Sequence, residues 1–203
     1  MEQVLRKSKG QVFTTNEMVK ISILGVLSYL IMFVEFPLPL FPPFLKMDFS
    51  DLPAIIGGFA LGPVAGITIE LIKNLLHFVT KTTTGGIGEI GNFAVGGAFV
   101  VMSSYIYKKS HTKKGAVLAL FSAILSMTLV GAIMNAVVLL PFYAQFMGGM
   151  EGLIAMGQGI NSHVNGVWSF AFLIMSPFNV IKGIILSSIT LFMYKKVSPL
   201  IKR

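Results

Sequence analysis

The sequence has no cysteine among its 203 residues, a single tryptophan, and eight acidic residues against sixteen basic ones. Without cysteine there is no disulfide, no thiolate nucleophile and no cysteine-held metal site, and the redox compartment stays open. Charge is scarce altogether, at 12% of residues, whereas 54% are hydrophobic and the mean hydropathy is +0.80. A soluble globular domain carries about 25% charge. The chain is therefore read as a membrane protein, with length for five or six spans of about 20 apolar residues each and no room for a separate soluble catalytic domain. No Walker motif occurs, so the chain cannot drive transport by hydrolysing ATP itself.

The net charge of +8 raises the question of nucleic acid. Twelve of the basic residues form three clusters: Arg6, Lys7, Lys9 and Lys20; Lys108, Lys109, Lys113 and Lys114; and Lys195, Lys196, Lys202 and Arg203. These clusters bracket apolar stretches, with no continuous basic face and no interleaved aromatic platforms, so no nucleic-acid partner is expected. They read as topology instead. Short basic loops beside spans stay cytoplasmic, which puts both termini and the 108–114 loop inside and requires an even number of crossings on each side of that loop. The basic start could pass for a secretion signal, but the run from Met18 to Phe36 is of spanning length and no small-residue cleavage site follows it. Thr14 and Glu17 have the spacing of a capping box.

Six helices are expected. The first runs from Met18 to Phe36 and ends at Pro37, Pro39, Pro42 and Pro43, which make an ordered, non-helical outer loop. The second runs from Leu52 to Leu61 with Asp51 as its cap, the third from Val64 to Val79, and the fourth from Gly88 to Tyr107. A fifth runs from Gly115 to Leu140, ended by Pro141. The sixth runs from Pro177 to Tyr194 with Ser176 as its cap, after a buried or interfacial segment from Val167 to Met175. The fold class is an all-α membrane protein of six transmembrane helices, one integral-membrane domain over residues 1–203, both termini cytoplasmic, with an ordered first outer loop over a ligand cavity.

Polar residues inside the spans carry the functional signal. Counting at about 1.5 Å per residue, Asn135 sits roughly 9 Å below the outer end of helix five, Asn179 and Lys182 roughly 3 and 8 Å down helix six, Asn92 about 6 Å into helix four and Asn74 about 8 Å from the outer end of helix three. All five share one layer. An ionisable group at that depth costs roughly 2.5 to 3.5 kcal/mol on insertion scales and marks a functional site by default, although a lysine can also snorkel to the headgroups. Single asparagines often do no more than bond between helices; four in one layer beside a lysine favour a polar cavity. Asparagine offers a donor and an acceptor side by side, which suits a planar heterocycle with alternating carbonyl and N–H groups. Phe36, Phe41 and Phe44, with Trp168 and several methionines, are available to cover the apolar face of such a ring, or to serve as interfacial belt residues.

Other motifs carry no chemistry. Gly86 to Gly91 matches GxGxxG, but a spanning helix stands where the dinucleotide fingerprint needs a strand, so a turn and close helix packing are expected there. Glu70, Glu89, Asp48 and Asp51 form no recognisable catalytic pair, and His77, His111 and His163 are too scattered for a metal site. His77 is expected to be packed or interfacial. An intramembrane enzyme built on Glu70 or Glu89 therefore lacks a visible catalytic partner.

The stretches Glu35-Phe36-Pro37, Pro42 to Ala54, Gly62 to Gly66, Lys73-Asn74-Leu75, Thr84 to Glu89 with Asn92, and Pro177 to Gly183 resemble, over nearly the whole chain, the riboflavin-specific substrate-binding (S) subunits of energy-coupling factor (ECF) vitamin transporters. The resemblance implies a bacterial plasma-membrane subunit that captures riboflavin as its transported ligand from outside, with no catalytic cofactor and no enzyme activity. It also implies a transmembrane coupling protein and two ATPase subunits as partners, beside membrane lipid. Carried over by motif, Asn135, Asn179 and Lys182 hold the flavin ring, and the first outer loop, with Phe44, Leu45, Lys46 and Met47, covers it. The small-residue contact for the coupling protein on helix one corresponds here to Ser22, Gly25 and Ser28, spaced by three instead of the family's usual four. Another vitamin, such as folate, thiamine or biotin, stays open as cargo, and a small channel is the reading of another class.

Overall fold

The computed structural model describes residues 12–202, so Arg6, Lys7, Lys9 and Arg203 of the sequence clusters lie outside the described residues. Helix α1 (Thr15–Met32) starts where the capping box demands: the Thr14 hydroxyl accepts from the Glu17 amide at 3.2 Å, and the Glu17 carboxylate accepts from the Thr14 amide at 2.8 Å. It stops four residues earlier than expected. Phe36 precedes a proline and is biased to extended backbone; strand β1 (Phe36–Pro37) pairs antiparallel with β2 (Lys46–Met47) in a small hairpin. The proline-rich loop is thus ordered and non-helical. Leu40 sits in the left-handed region at φ 71° near its tip.

Helix α2 (Asp51–Leu61) is the central post of the bundle, packed by α1, α3 (Pro63–Lys81), α4 (Ile87–Lys109) and α9 (Ser176–Lys202), with eight of its eleven residues buried. A short helix crosses apolar surroundings only with such help. Asp51 is not its cap: Ser50 occupies that position, and the Asp51 carboxylate turns inward. Helix α4 pairs with α5 (Lys113–Met134) across a three-residue turn, Ser110 to Thr112, flanked by lysines, and the Thr112 hydroxyl accepts from Gly115 N at 3.0 Å.

Two prolines do not do what the sequence suggests. After α5 the chain continues through a π-helical turn, Asn135–Leu139, into α6 (Leu140–Ala144), passing Pro141 without stopping. In the same way α8 (Val167–Phe170) continues through a π-helical turn, Ala171–Met175, into α9, passing Pro177; Ser176 is in the helical region and gives its hydroxyl to the Ala171 carbonyl at 3.1 Å instead of capping. Each π turn ends two residues before its proline. The wider turn shifts the carbonyl that a proline ring would strike and absorbs the missing N–H donor. Between these halves lies α7 (Gly149–Ile160).

Among the described residues, four helical stretches are long and apolar enough to cross a membrane: Thr15–Met32, Ile87–Lys109, Lys113–Ala144 and Val167–Val197. Two apolar cores fill the bundle. One gathers Ile55, Phe59, Phe99, Leu120 and Leu186 around α2. The other joins Leu140, Leu153, Phe170 and Ile174 to Phe41, Phe44 and Leu45 of the hairpin loop.

Candidate functional site

A cavity opens where the two cores meet, with Met127 of the first and Met175 of the second on its wall. Its volume is about 150 Å³, and it adjoins a second chamber of about 330 Å³ through shared walls at Phe44, Lys46, Asp48, Gly88, Asn92 and Tyr143. Together they fall in the range of small-molecule sites, roughly 300 to 1,000 Å³. The hairpin roofs the first chamber: Phe44 stacks on Tyr143 of α6 with centroids 4.8 Å apart, and Phe41 meets Phe178 of α9 edge-on at 5.4 Å.

Three amides converge on this space from α4, the π turn after α5, and α9: Asn92, Asn135 and Asn179. Asn135 spends its Nδ2 on its own helix, donating to the Gly131 carbonyl at 2.7 Å, which points its oxygen elsewhere. Asn179 makes no side-chain hydrogen bond among the described residues, and Asn92 Oδ1 is buried without a partner. A buried amide left unpaired is costly, because nearly all such groups are satisfied. Close approach holds Asn179 in place: a Cβ added at Gly131 would lie 2.2 Å from its Nδ2. Only glycine leaves that space.

Beneath the amides runs a chain of alternating charges. Lys182 Nζ lies 3.0 Å from both Asp48 Oδ2 and Asp51 Oδ2; Asp51 Oδ1 lies 2.6 Å from Lys73 Nζ, which lies 2.6 Å from Glu70 Oε2. All five are buried, so pairing is the condition for their presence. Lys182 therefore does not snorkel. An ammonium has three donors; two face carboxylates, and one is left for the cavity that Lys182 lines. Asp48 is fixed in turn by the amide and hydroxyl of Ser50, whose carbonyl accepts from Ser28 Oγ at 2.5 Å. The chain ties the hairpin, α2, α3 and α9 to one another.

The adjoining chamber is walled by a second pair, His77 Nδ1 and Glu89 Oε1 at 2.7 Å, with Thr82 and Thr84 donating to Glu89 Oε2 at 3.2 and 3.3 Å. Thr84 Oγ1 also accepts from Gly88 N, and Gly86 adopts φ 98° as the turn into α4. The GxGxxG segment is thus the start of α4, with Gly86 at its N-cap and Thr84 accepting from the Gly88 amide. Lys46 pairs with Glu35 at 2.7 Å at the rim.

Of the residues singled out from sequence, Phe44, Leu45, Lys46, Asn92, Asn135, Asn179 and Lys182 line one cavity. Asn74 does not. Its Nδ2 turns back to the Glu70 carbonyl at 2.9 Å, and it borders a separate groove with Phe78 and Phe93. Met47 does not either: side chains alternate along a strand, so Lys46 faces the cavity while Met47 is buried on the other face of the hairpin. Of the helix-one candidates, Gly25 packs on Ile72 and Ser28 bonds Ser50, both inside the molecule, so only Ser22 is exposed for a partner. Trp168 stacks on Phe172 and is half exposed, away from the cavity. Asp48, Asp51, Glu70, Lys73 and Tyr143 were missed as site residues; the signal available for the first four was that charges inside apolar segments must find one another.

The family model described as "ECF transporter, substrate-specific component" matches residues 16–194. The riboflavin transporter RibU of Staphylococcus aureus is 33% identical over 188 residues, covering 93% of each chain. The riboflavin transporter FmnP of Bacillus subtilis is 32% identical over 190 residues, covering 93% of this chain and 95% of that one. A solved structure of the S component of a bacterial ECF transporter is similar with a TM-score of 0.72 at 33% identity, over 92% of this chain and 98% of that one.

Proposed function

Because this chain belongs to the substrate-specific components of ECF transporters, a family of transport subunits and not of enzymes, we propose that it captures riboflavin from the outer side of the cell membrane and passes it inward with a transmembrane coupling protein and two ATPase subunits. The observation that carries this reading is the convergence of Asn92, Asn135 and Asn179, two of them without any side-chain hydrogen bond among the described residues, under an aromatic roof. A flavin ring offers carbonyl and N–H groups along one edge, which match amide donors and acceptors, and a flat apolar face for Phe44, Met127 and Met175. The remaining N–H of Lys182 donates to a ring carbonyl. The chamber beside it, with Thr83, Thr84, His77 and Glu89, suits a hydroxyl-bearing side chain.

The whole of residues 1–203 acts as one integral-membrane substrate-binding domain. Its six crossings comprise the four long apolar helices plus α2 and α3, whose charges are paired inside the bundle. With Lys108, Lys109, Lys113, Lys114, Lys195 and Lys196 at one end, the charge rule sets that end and both termini in the cytoplasm. The exposed side of α1, with Val19, Ser22, Ile23, Val26 and Leu30, is the face offered to the coupling protein, and ATP hydrolysis in the partners drives the rearrangement that releases the vitamin inward.

The test is flavin fluorescence quenching by the purified chain. Saturable quenching by riboflavin is expected, and Asn179→Leu should weaken it by roughly 5 to 150 fold, the worth of about 1 to 3 kcal/mol for a buried polar group left unpaired, with membrane insertion intact. Absence of saturable quenching, or unchanged affinity in the variant, overturns the reading.

A further inference from the structure

A groove far from the vitamin site has a different chemistry. It lies between the start of α5 and the end of α9, holds about 790 Å³, and is walled by Val117, Leu118, Phe121, Leu191 and Phe192, with Lys113 and Lys114 at its mouth. Val117 and Phe121 are one and two turns below the lysines, so the apolar wall reaches about 11 Å down the helix from the charged mouth. Phe192 is 81% exposed. The floor is rigid, because Tyr194 is buried edge-on to Phe59 and Tyr107.

Charge decides what such a groove accepts. Between Ile90 and Lys202 the sequence holds a single carboxylate, Glu151, and that residue lies on α7 beyond the opposite ends of α5 and α9. Lys113 and Lys114 are exposed, and no ion pair links either to an acidic side chain among the described residues. Lys108, Lys109, Lys195 and Lys196 add to the same end. A ligand with an anionic head and an apolar tail complements a doubly basic mouth over an apolar wall, and basic pockets between transmembrane helices bind anionic lipid heads.

We propose that this groove is a binding site for an anionic phospholipid, its phosphate held by Lys113 and Lys114 and one acyl chain lying against Val117, Phe121 and Phe192. The site is independent of the vitamin cavity. A lipid seated there fixes the height of the α5 and α9 ends in the leaflet.

The experiment titrates the purified full chain in detergent with phosphatidylglycerol or phosphatidylcholine of identical acyl chains and reads bound lipid by native mass spectrometry. Phosphatidylglycerol should bind at least tenfold tighter than phosphatidylcholine. Lys113→Gln/Lys114→Gln should weaken phosphatidylglycerol by about 30-fold, at the usual worth of two basic residues near a lipid surface, whereas Lys20→Gln, on α1, should change it less than twofold. Val117→Trp, which fills the groove, should weaken both lipids, and free glycerol phosphate should not compete. Far-UV circular dichroism checks that each variant keeps its helices, and a double glutamine variant that loses them is replaced by the two single ones, each expected to lose about fivefold. Equal binding of the two lipids by the parent chain, retention of the preference without the lysines, indifference to Val117→Trp, or a protein crosslinked at Phe192 in native membranes in place of lipid would overturn the proposal.

Discussion

Replacing Lys73 by methionine removes the one cation that touches both Asp51 and Glu70. The two contacts are 2.6 Å each, and the side chain has no exposure at all, so neither solvent nor salt screens what is lost. Breaking a buried pair by deleting one partner costs about 3 to 5 kcal/mol, because the surviving charge stays buried without compensation. Glu70→Gln perturbs the same spot in the opposite sense. Three carboxylates, Asp48, Asp51 and Glu70, face two ammonium groups, Lys73 and Lys182, so neutralising Glu70 brings the cluster into balance while keeping an oxygen for Lys73. Its cost should stay within about 1 kcal/mol, the usual worth of one hydrogen bond. For a chain of this length roughly 2 to 4 °C of melting temperature corresponds to each kcal/mol, which separates the variants: a fall of roughly 6 to 20 °C for Lys73→Met and at most about 4 °C for Glu70→Gln. Thermal unfolding of the purified variants in one detergent, followed by circular dichroism, reads the difference. Equal melting temperatures for the two, or a larger loss for Glu70→Gln, would refute the claim that charge balance in this chain holds the bundle together.

Two more substitutions separate the site from its surroundings. Gly131→Ala removes no polar group, yet its methyl would stand 2.2 Å from Asn179 Nδ2; it should push the amide out of register and weaken riboflavin at least fivefold in a quenching titration, and affinity equal to the parent would mean that the Asn179 position is not set by this contact. Asn74→Leu should leave riboflavin affinity within about twofold, since this side chain bonds its own helix at Glu70 and stands outside the cavity; a tenfold loss in the same titration would restore Asn74 to the binding layer.

The layer of polar groups was legible from sequence for a reason that outlived one of its premises. Depth was counted from Pro141 and Pro177 as helix ends, and neither is an end, since π turns carry the chain past both. Asn135, Asn179 and Lys182 nevertheless line one cavity, since each proline follows its π turn at the same offset and the two turns pack against each other. Height, however, leaves direction open. Asn74 folds back on its own helix, Met47 has the right neighbour and the wrong side of a strand, and Gly25 and Ser28 fall on the inner side of α1.

The charge chain was hidden for a different reason. Glu70 and Lys73 are three apart on one helix and already readable as a pair, but Lys73 meets Asp51 across 22 residues and Lys182 meets Asp48 across 134, and no local spacing encodes such contacts. Exclusion would have supplied what spacing did not. The ionisable residues at or beside the spans, away from the basic clusters, include Glu35, Lys46, Asp48, Asp51, Glu70, Lys73, His77, Lys81, Glu89 and Lys182, and those inside must find a partner in an apolar surrounding. His77 and Glu89 take each other, and Glu35 lies between Lys46 and Lys81 at the rim, so inside the bundle three carboxylates share two lysines. Three carboxylates cannot pair one to one with two lysines, so each carboxylate touches a cation only because Lys73 and Lys182 are shared. Because Asp48 directly follows the hairpin and Lys182 shares α9 with Asn179, that network fastens the roof of the cavity to the wall that carries Asn179.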